Sequence, residues 1–168
     1  MIKIGVIGLG EVSQCMHLPI LSDLYDIYEV TAVSDISPSL VSFVQKKYNI
    51  PEGWVNAKEM IEKADIDAVL VLSPDQYHGE YAKKALECGK HVFIEKPVTL
   101  CPQELEELIE LKKQHPQQIA MVGYMRRYAG PFLKAKEILN ETPMKTEYLR
   151  FRDIILEAPF FVGQTRQP

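Results

Sequence analysis

The sequence predicts a doubly wound α/β domain, a parallel sheet with helices on both faces. Three observations point there. Apolar runs alternate with helical patterns between Met1 and Gly123. The runs are apolar throughout, as strands buried on both faces must be. A glycine-rich turn joins the first run to the first helical pattern.

The elements follow in order. Ile2 to Ile7 reads as a fully buried strand. Glu11 to Leu24 carries an apolar helical face, with Pro19 expected to kink or break it. Glu29 to Ser34 is the second strand, and Pro38 to Tyr48 a helix opened by the N-cap Ser37. Lys58 to Lys63 is a short helix and Asp67 to Leu72 a strand. Gln76 to Cys88 is a helix with Tyr81, Ala82, Ala85 and Leu86 on one face and Gly89 at its C-cap. His91 to Ile94 is a strand, and Pro102 to Gln114 a helix with Leu105, Leu108 and Ile109 inward. Ile119 to Gly123 closes the sheet. Pro131 to Leu139 is one more helix. Glu147 to Leu156 is a strand with a more alternating pattern, and the tail to Pro168 reads as a loop. The expected division is residues 1–123 as one domain and residues 124–168 as a connecting helix and first strand of an incomplete second α/β domain.

With 168 residues, 46% hydrophobic and 25% charged, the composition is that of an ordinary soluble globular protein. A net charge of -4 argues against nucleic acid or an anionic membrane as partner. The N-terminal apolar run is too short and too glycine-rich for a signal peptide or a spanning helix. Cys15, Cys88 and Cys101 are an odd number without CxxC spacing. They suggest reduced thiols in a cytoplasmic protein, with neither a disulfide framework nor a metal site.

The first strand runs into Gly8-Leu9-Gly10-Glu11-Val12-Ser13. Gly8 and Gly10 supply two glycines of the dinucleotide fingerprint G-x-G-x-x-G/A. Ser13 takes the third, small position. The helix N-terminus behind Glu11 and Val12 can then receive phosphates. A tight turn without ligand would use the same residues. Asp35, at the end of the second strand, stands where a carboxylate accepts ribose hydroxyls; its alternative is to cap the helix near Ser37. No arginine follows Asp35, so NAD is expected over NADP.

The middle of the chain carries Ser73-Pro74-Asp75-Gln76-Tyr77-His78, then Ala85-Leu86, Gly89-Lys90-His91-Val92 and Glu95-Lys96-Pro97. This resembles the pattern of the glucose–fructose oxidoreductase / inositol dehydrogenase / rhizopine-catabolism (Gfo/Idh/MocA) family. His17-Leu18-Pro19 and Gly123-Tyr124-Met125-Arg126-Arg127-Tyr128 resemble it too. The likeness runs to about Gly130. It implies a Rossmann-type NAD(P)-binding domain of an oxidoreductase acting on a secondary alcohol of a sugar, cyclitol or related polyol. It further implies that Lys96 lies by the nicotinamide and contacts the substrate hydroxyl, in catalysis. Gly8, Leu9, Gly10, Glu11, Val12, Asp35, Ser73, Pro74, His78, Glu95, Lys96 and Tyr124 become candidates for cofactor contact. Glu95 has the alternative role of orienting the lysine, and His78 and His17 that of packed histidines. One of Arg126 and Arg127 is a candidate to face cofactor or substrate. Asp75 departs from the usual Asn or Thr, and Ala129 from the usual Asp.

Family enzymes have a second α/β domain that supplies a proton-relay histidine and usually the oligomer interface, so a homo-oligomer is expected of a full-length form. No histidine follows His115 here. Two readings stay open: a piece of a longer dehydrogenase, or a non-catalytic NAD-binding sensor of the same family.

Overall fold

The computed structural model describes residues 1–141 and 150. They fall into two compact units, Met1–Gly123 and a second beginning at Tyr124. The first unit contains strands β1 (Ile2–Ile7), β2 (Tyr28–Ser34), β3 (Glu52–Trp54), β4 (Ala68–Val71), β5 (His91–Ile94) and β6 (Ala120–Val122). Its helices are α1 (Leu18–Asp23), α2 (Pro38–Tyr48), α3 (Ala57–Lys63), α4 (His78–Glu87) and α5 (Pro102–Gln114). The second unit holds a 3₁₀ turn (Met125–Tyr128) and α6 (Gly130–Glu141).

All strand pairs are parallel, in the order β3-β2-β1-β4-β5-β6. The order reverses beside β1, the switch point at which doubly wound folds bind ligands. Register puts the strand ends level: Ile7 pairs with Ser34 and Val71, Val71 with Ile94, and Ile94 with Val122. The loops after these strands therefore leave one edge of the sheet together.

Two apolar clusters sandwich the sheet. One gathers Val69, Val71, Val92 and Ile94 with Met60, Ile61, Ala82, Ala85, Leu86 and Leu108 of α3, α4 and α5. The other gathers Ile4, Val6, Val33 and Leu70 with Leu18, Val41 and Val44 of α1 and α2. Successive residues of β4 and β5 alternate between the two clusters, so a uniformly apolar sequence is what these strands need. Ser37 caps α2 through Leu40 N–H at 3.4 Å, and Asn49 ends it in the left-handed region at φ 54°. Asn56 caps α3 through the N–H groups of Lys58 and Glu59. Among the described residues no helix is long and apolar enough to cross a membrane. None of the three cysteines, Cys15, Cys88 and Cys101, is in a disulfide.

Four expectations need correction. The first helix is not broken at Pro19. It winds through a π-helical turn, Ser13–His17, into α1, with Pro19 in the opening turn. The wider turn upstream accommodates a ring that lacks an N–H and would crowd the carbonyl of Cys15. β3 was not expected: it is three residues long with Gly53 at its centre, so it offers no apolar period. β6 is an edge strand with Ala120 and Met121 exposed, unlike its neighbour β5, in which Val92 and Ile94 are buried. On α5 only Leu108 is buried, while Leu105 is 37% and Ile109 49% exposed. This helix packs on α4. A single helical neighbour covers a narrower stripe than a sheet does, here centred on Leu108 with Leu111 beside it. The expected strand at 147–156 lies outside the described residues.

Surface ion pairs tie the outer helices. Lys58 meets Glu80, Lys84 meets Glu62, and Lys83 meets Glu107. The hydrogen bond and charge of Lys84 hold the Glu62 carboxyl below its usual range. Exposed pairs of this kind set helix register more than they add stability.

The narrowed α5 stripe makes a testable contrast. Leu108→Ala should cost about 2–5 kcal/mol of unfolding free energy, whereas Ile109→Ala should stay within about 0.5 kcal/mol of wild type. Urea titration of the two variants measures both.

Candidate functional site

The site starts from the turn after β1. Gly8 has φ +86°, and a Cβ there would stand 2.7 Å from the backbone of Leu72 and Ser73. Both the conformation and the close approach require glycine. Gly8 N–H donates to Ser34 O at 2.9 Å, and Gln14, buried on the following helix, donates its amide to Leu9 O at 2.6 Å. Gly10 O accepts from Gln14 N–H at 3.0 Å and so begins the helix. The first-turn N–H groups of Glu11 and Val12 have no intrahelical acceptor, the arrangement that attracts a phosphate. A Cβ on Gly10 would meet nothing within 4 Å, so the turn is open in front.

Asp35 follows β2 and holds this turn in place. Its Oδ2 accepts Leu9 N–H and its Oδ1 accepts Ser37 N–H, each at 2.9 Å. It thus caps the α2 entrance and buttresses the glycine turn at once. Each oxygen keeps a further lone pair for a ligand hydroxyl.

Beside it lies a cleft of about 350 Å³ lined by Gly8, Asp35, Ser73, Pro74, Tyr77 and Tyr81, among others. Burial pushes the Tyr81 phenol up, so it is a neutral hydrogen-bonding group at physiological pH. The Ser73 hydroxyl is buried and among the described residues has no hydrogen-bond partner, an orphan that a ligand would satisfy. Asp75 is exposed and opens a 3₁₀ turn, Asp75–Tyr77, ahead of α4. A carboxylate there suits the positive end of the helix, which gives this departure from the family pattern a structural use.

After β5, Glu95 and Lys96 part ways. Glu95 Oε2 accepts the Lys96 backbone N–H at 3.0 Å, and Oε1 lies 3.1 Å from His17 Nε2. His17 in turn stands edge-on to Phe93, with ring centroids 5.3 Å apart. Lys96 is exposed, and among the described residues its ammonium has no hydrogen-bond or ion-pair partner. The Lys96–Pro97 bond is cis. His78 is 1% exposed, with Nδ1 2.6 Å from Pro97 O and Nε2 2.7 Å from Ser73 O.

The structure therefore gathers Gly8, Asp35, Ser73 and Pro74 around one cleft. Leu9, Gly10, Glu11 and Val12 form the adjoining turn, and Glu95 and Lys96 the neighbouring strand end. Tyr124 belongs to the second unit, where it is half-exposed ahead of the 3₁₀ turn bearing Arg126 and Arg127. Sequence reasoning missed Gln14, Tyr77 and the cleft-facing side of Tyr81. Periodicity placed Tyr81 in the core, and no pattern marks a glutamine that locks a turn.

The sequence model of an oxidoreductase family with an NAD-binding Rossmann fold, GFO_IDH_MocA, matches residues 2–124. The chain belongs to this family. It is 33% identical over 141 residues to an inositol 2-dehydrogenase/D-chiro-inositol 3-dehydrogenase of Shouchella clausii, covering 83% of this chain and 40% of that one. It resembles a scyllo-inositol dehydrogenase of Lactobacillus casei, solved with bound NAD(H) and scyllo-inositol, at a TM-score of 0.80 and 30% identity, over 84% of this chain and 41% of that one. A 3-ketoreductase of Actinomadura kijaniata in complex with TDP-benzene and NADP is 27% identical at a TM-score of 0.75, over 83% and 43% of the two chains. The chain spans about 40% of the length of the curated relatives it matches. The residues of this Gfo/Idh/MocA member fit the cofactor of the family's Rossmann domain: an open turn at Gly10, a carboxylate beside the cleft and an unsatisfied hydroxyl in its wall.

The two glycines of the turn should behave differently. Gly8→Ala should cost about 1–3 kcal/mol of stability through strain and collision. Gly10→Ala, with free space for its methyl, should remain within about 0.5 kcal/mol. Chemical denaturation of both variants decides it.

Proposed function

We propose that this chain is the cofactor-binding part of an NAD-dependent dehydrogenase acting on a secondary alcohol of a cyclitol, sugar or related polyol. The observation that carries this reading is the position of Lys96. It leaves β5 on the edge where the adjacent strand β4 delivers Ser73 and Pro74 to the cleft, and its ammonium is unpaired. The inositol dehydrogenases among its relatives support the substrate class, and the NAD(H)-bound structure among them supports the cofactor.

In this reading the turn at Gly8–Val12 cradles the pyrophosphate with backbone N–H groups, and Asp35 accepts the ribose hydroxyls. Bound nicotinamide supplies the hydride acceptor or donor. Lys96 places a positive charge beside the alcohol oxygen, where it stabilises developing alkoxide character and can hold or release the hydroxyl proton. Glu95 keeps the Lys96 backbone in place and is itself held by His17. In the full-length protein the second domain supplies the other wall of the site and an interface between copies.

Two measurements test the reading. Millimolar NAD should raise the melting temperature of the chain, since a ligand held only by the native state stabilises it by about 2.7 kcal/mol at a hundredfold excess over Kd. NADP should bind more weakly, because its 2′-phosphate meets the Asp35 carboxylate, and Asp35→Ser should narrow the gap. Tighter binding of NADP by the wild type would overturn the preference. Gly10→Ala should weaken NAD binding by about tenfold or more while the fold is kept.

In the full-length protein, Lys96→Ala should lower kcat on the preferred inositol or sugar by about 10²–10⁴-fold. Its NAD affinity should hardly change. An unchanged kcat in this variant would overturn the role given to the lysine, and no turnover by the wild type in a screen of inositols, aldoses and sugar acids, followed at the NADH absorbance, would leave a sensor as the better reading.

A further inference from the structure

We propose that His78 is a positioning residue that couples the cofactor cleft to the loop bearing Lys96. The inference rests on the cleft taking NAD, as above. His78 is the first residue of α4 and is almost wholly buried. Its two ring nitrogens each face a backbone carbonyl, and the two carbonyls belong to different loops. Nε2 meets Ser73, which lines the cleft, at 2.7 Å; Nδ1 meets Pro97, which follows Lys96, at 2.6 Å.

A histidine that merely fills a core needs one such bond. Either nitrogen can donate to the carbonyl it faces, so one ring stands against both loops. The ring is rigid, so the separation of Ser73 O and Pro97 O is set by its shape.

The other ties of the two loops run within each loop or between the strand ends: Tyr77 N–H to Pro74 O, Cys101 N–H to Thr99 Oγ1 and Glu95 N–H to Val71 O. Among the described residues the Ser73 hydroxyl has no partner, and Pro97 has no N–H to donate. Lys96 N–H is bonded only within its own dipeptide, to Glu95. A shift of Ser73 and Pro74 when the cleft fills is therefore passed through the imidazole to Pro97, and from there to Lys96. Binding at one strand end thereby sets the lysine at the next. Such coupling requires that the ligand favour one arrangement of both loops over the other.

Amide NMR of the chain tests this, with Gly8 and Gly10 reporting cofactor binding and Lys96 and Val98 reporting the lysine loop. In the wild type, saturating NAD should shift both sets. In His78→Ala the glycine signals should still shift at saturating NAD. The Lys96 and Val98 response should fall to about half or less. His78→Gln, which can still donate to a carbonyl, should restore part of it. A full-sized Lys96 and Val98 response in either folded variant overturns the proposal. So does a wild type in which the glycines shift and Lys96 and Val98 do not. If the wild-type glycines fail to shift, the cofactor reading falls and this inference with it. A measurement without substitution stands beside these: a His78 ring N–H proton should be protected from solvent exchange, and a ring with no protected proton overturns the proposal even where the variants do not fold.

Discussion

Parallel pairing of β1 on both of its edges is the constraint from which the site follows. Ile7 faces Ser34 on one side and Val71 on the other. The chain must then leave β1 between two neighbours that end at the same height. Leu72 N–H bonds back to Ile7 O at 2.8 Å, which brings the Leu72–Ser73 backbone against the turn. Gly8 has no room for a side chain for that reason. A slip of one residue in either pairing would turn the apolar faces over and move the carboxylate of Asp35 away from Leu9. The glycine, the acid and the cleft are thus consequences of one register, and none of them could be kept if it changed.

The sequence made the large elements legible because their signals are physical and local. Ile2–Ile7, Pro38–Tyr48, His91–Ile94 and Pro102–Gln114 lie where their apolar patterns and caps place them. What escaped depends on neighbours. β3 exists because β2 offers it an edge, and its own residues carry no strand period. Leu105 and Ile109 look like core residues until the width of the surface beneath α5 is known. Pro19 looks like a break until the upstream turn is seen to widen. At the site, Gly8, Gly10 and Asp35 carry a chain-local signal, whereas Lys96 stands out only through the family pattern. Gln14 and the tie made by His78 could not be picked out, because their partners lie on the backbone of other loops.

The dual role of Asp35 illustrates why a structural and a functional explanation need not compete. Both of its oxygens are engaged by backbone N–H groups, one in the glycine turn and one at the α2 cap. These bonds orient the carboxylate without exhausting its lone pairs. For the role proposed for Asp35, a carboxylate held in this way is better suited to meet ribose hydroxyls than a free one, since its ordering entropy is lost on folding and not on binding.

The same logic separates the two charges at the end of β5. An acid next to a base usually invites neutralisation between them. Here the acid is occupied elsewhere: one Glu95 oxygen takes the Lys96 backbone N–H and the other meets His17. Those contacts pull the carboxylate toward the sheet, against Gly123, where a Cβ would come within 3.3 Å of it. Gly123, the residue after β6, therefore leaves space into which Glu95 folds back, beside the Phe93 ring that a Cβ would meet at 2.9 Å. The lysine is left to project with its charge unspent. A buried ion pair at this point would have held the ammonium in one geometry and cancelled the field it can offer to an oxygen. By using Glu95 on the backbone of Lys96 and not on its side chain, the loop fixes where the lysine begins and leaves its charged end free to act.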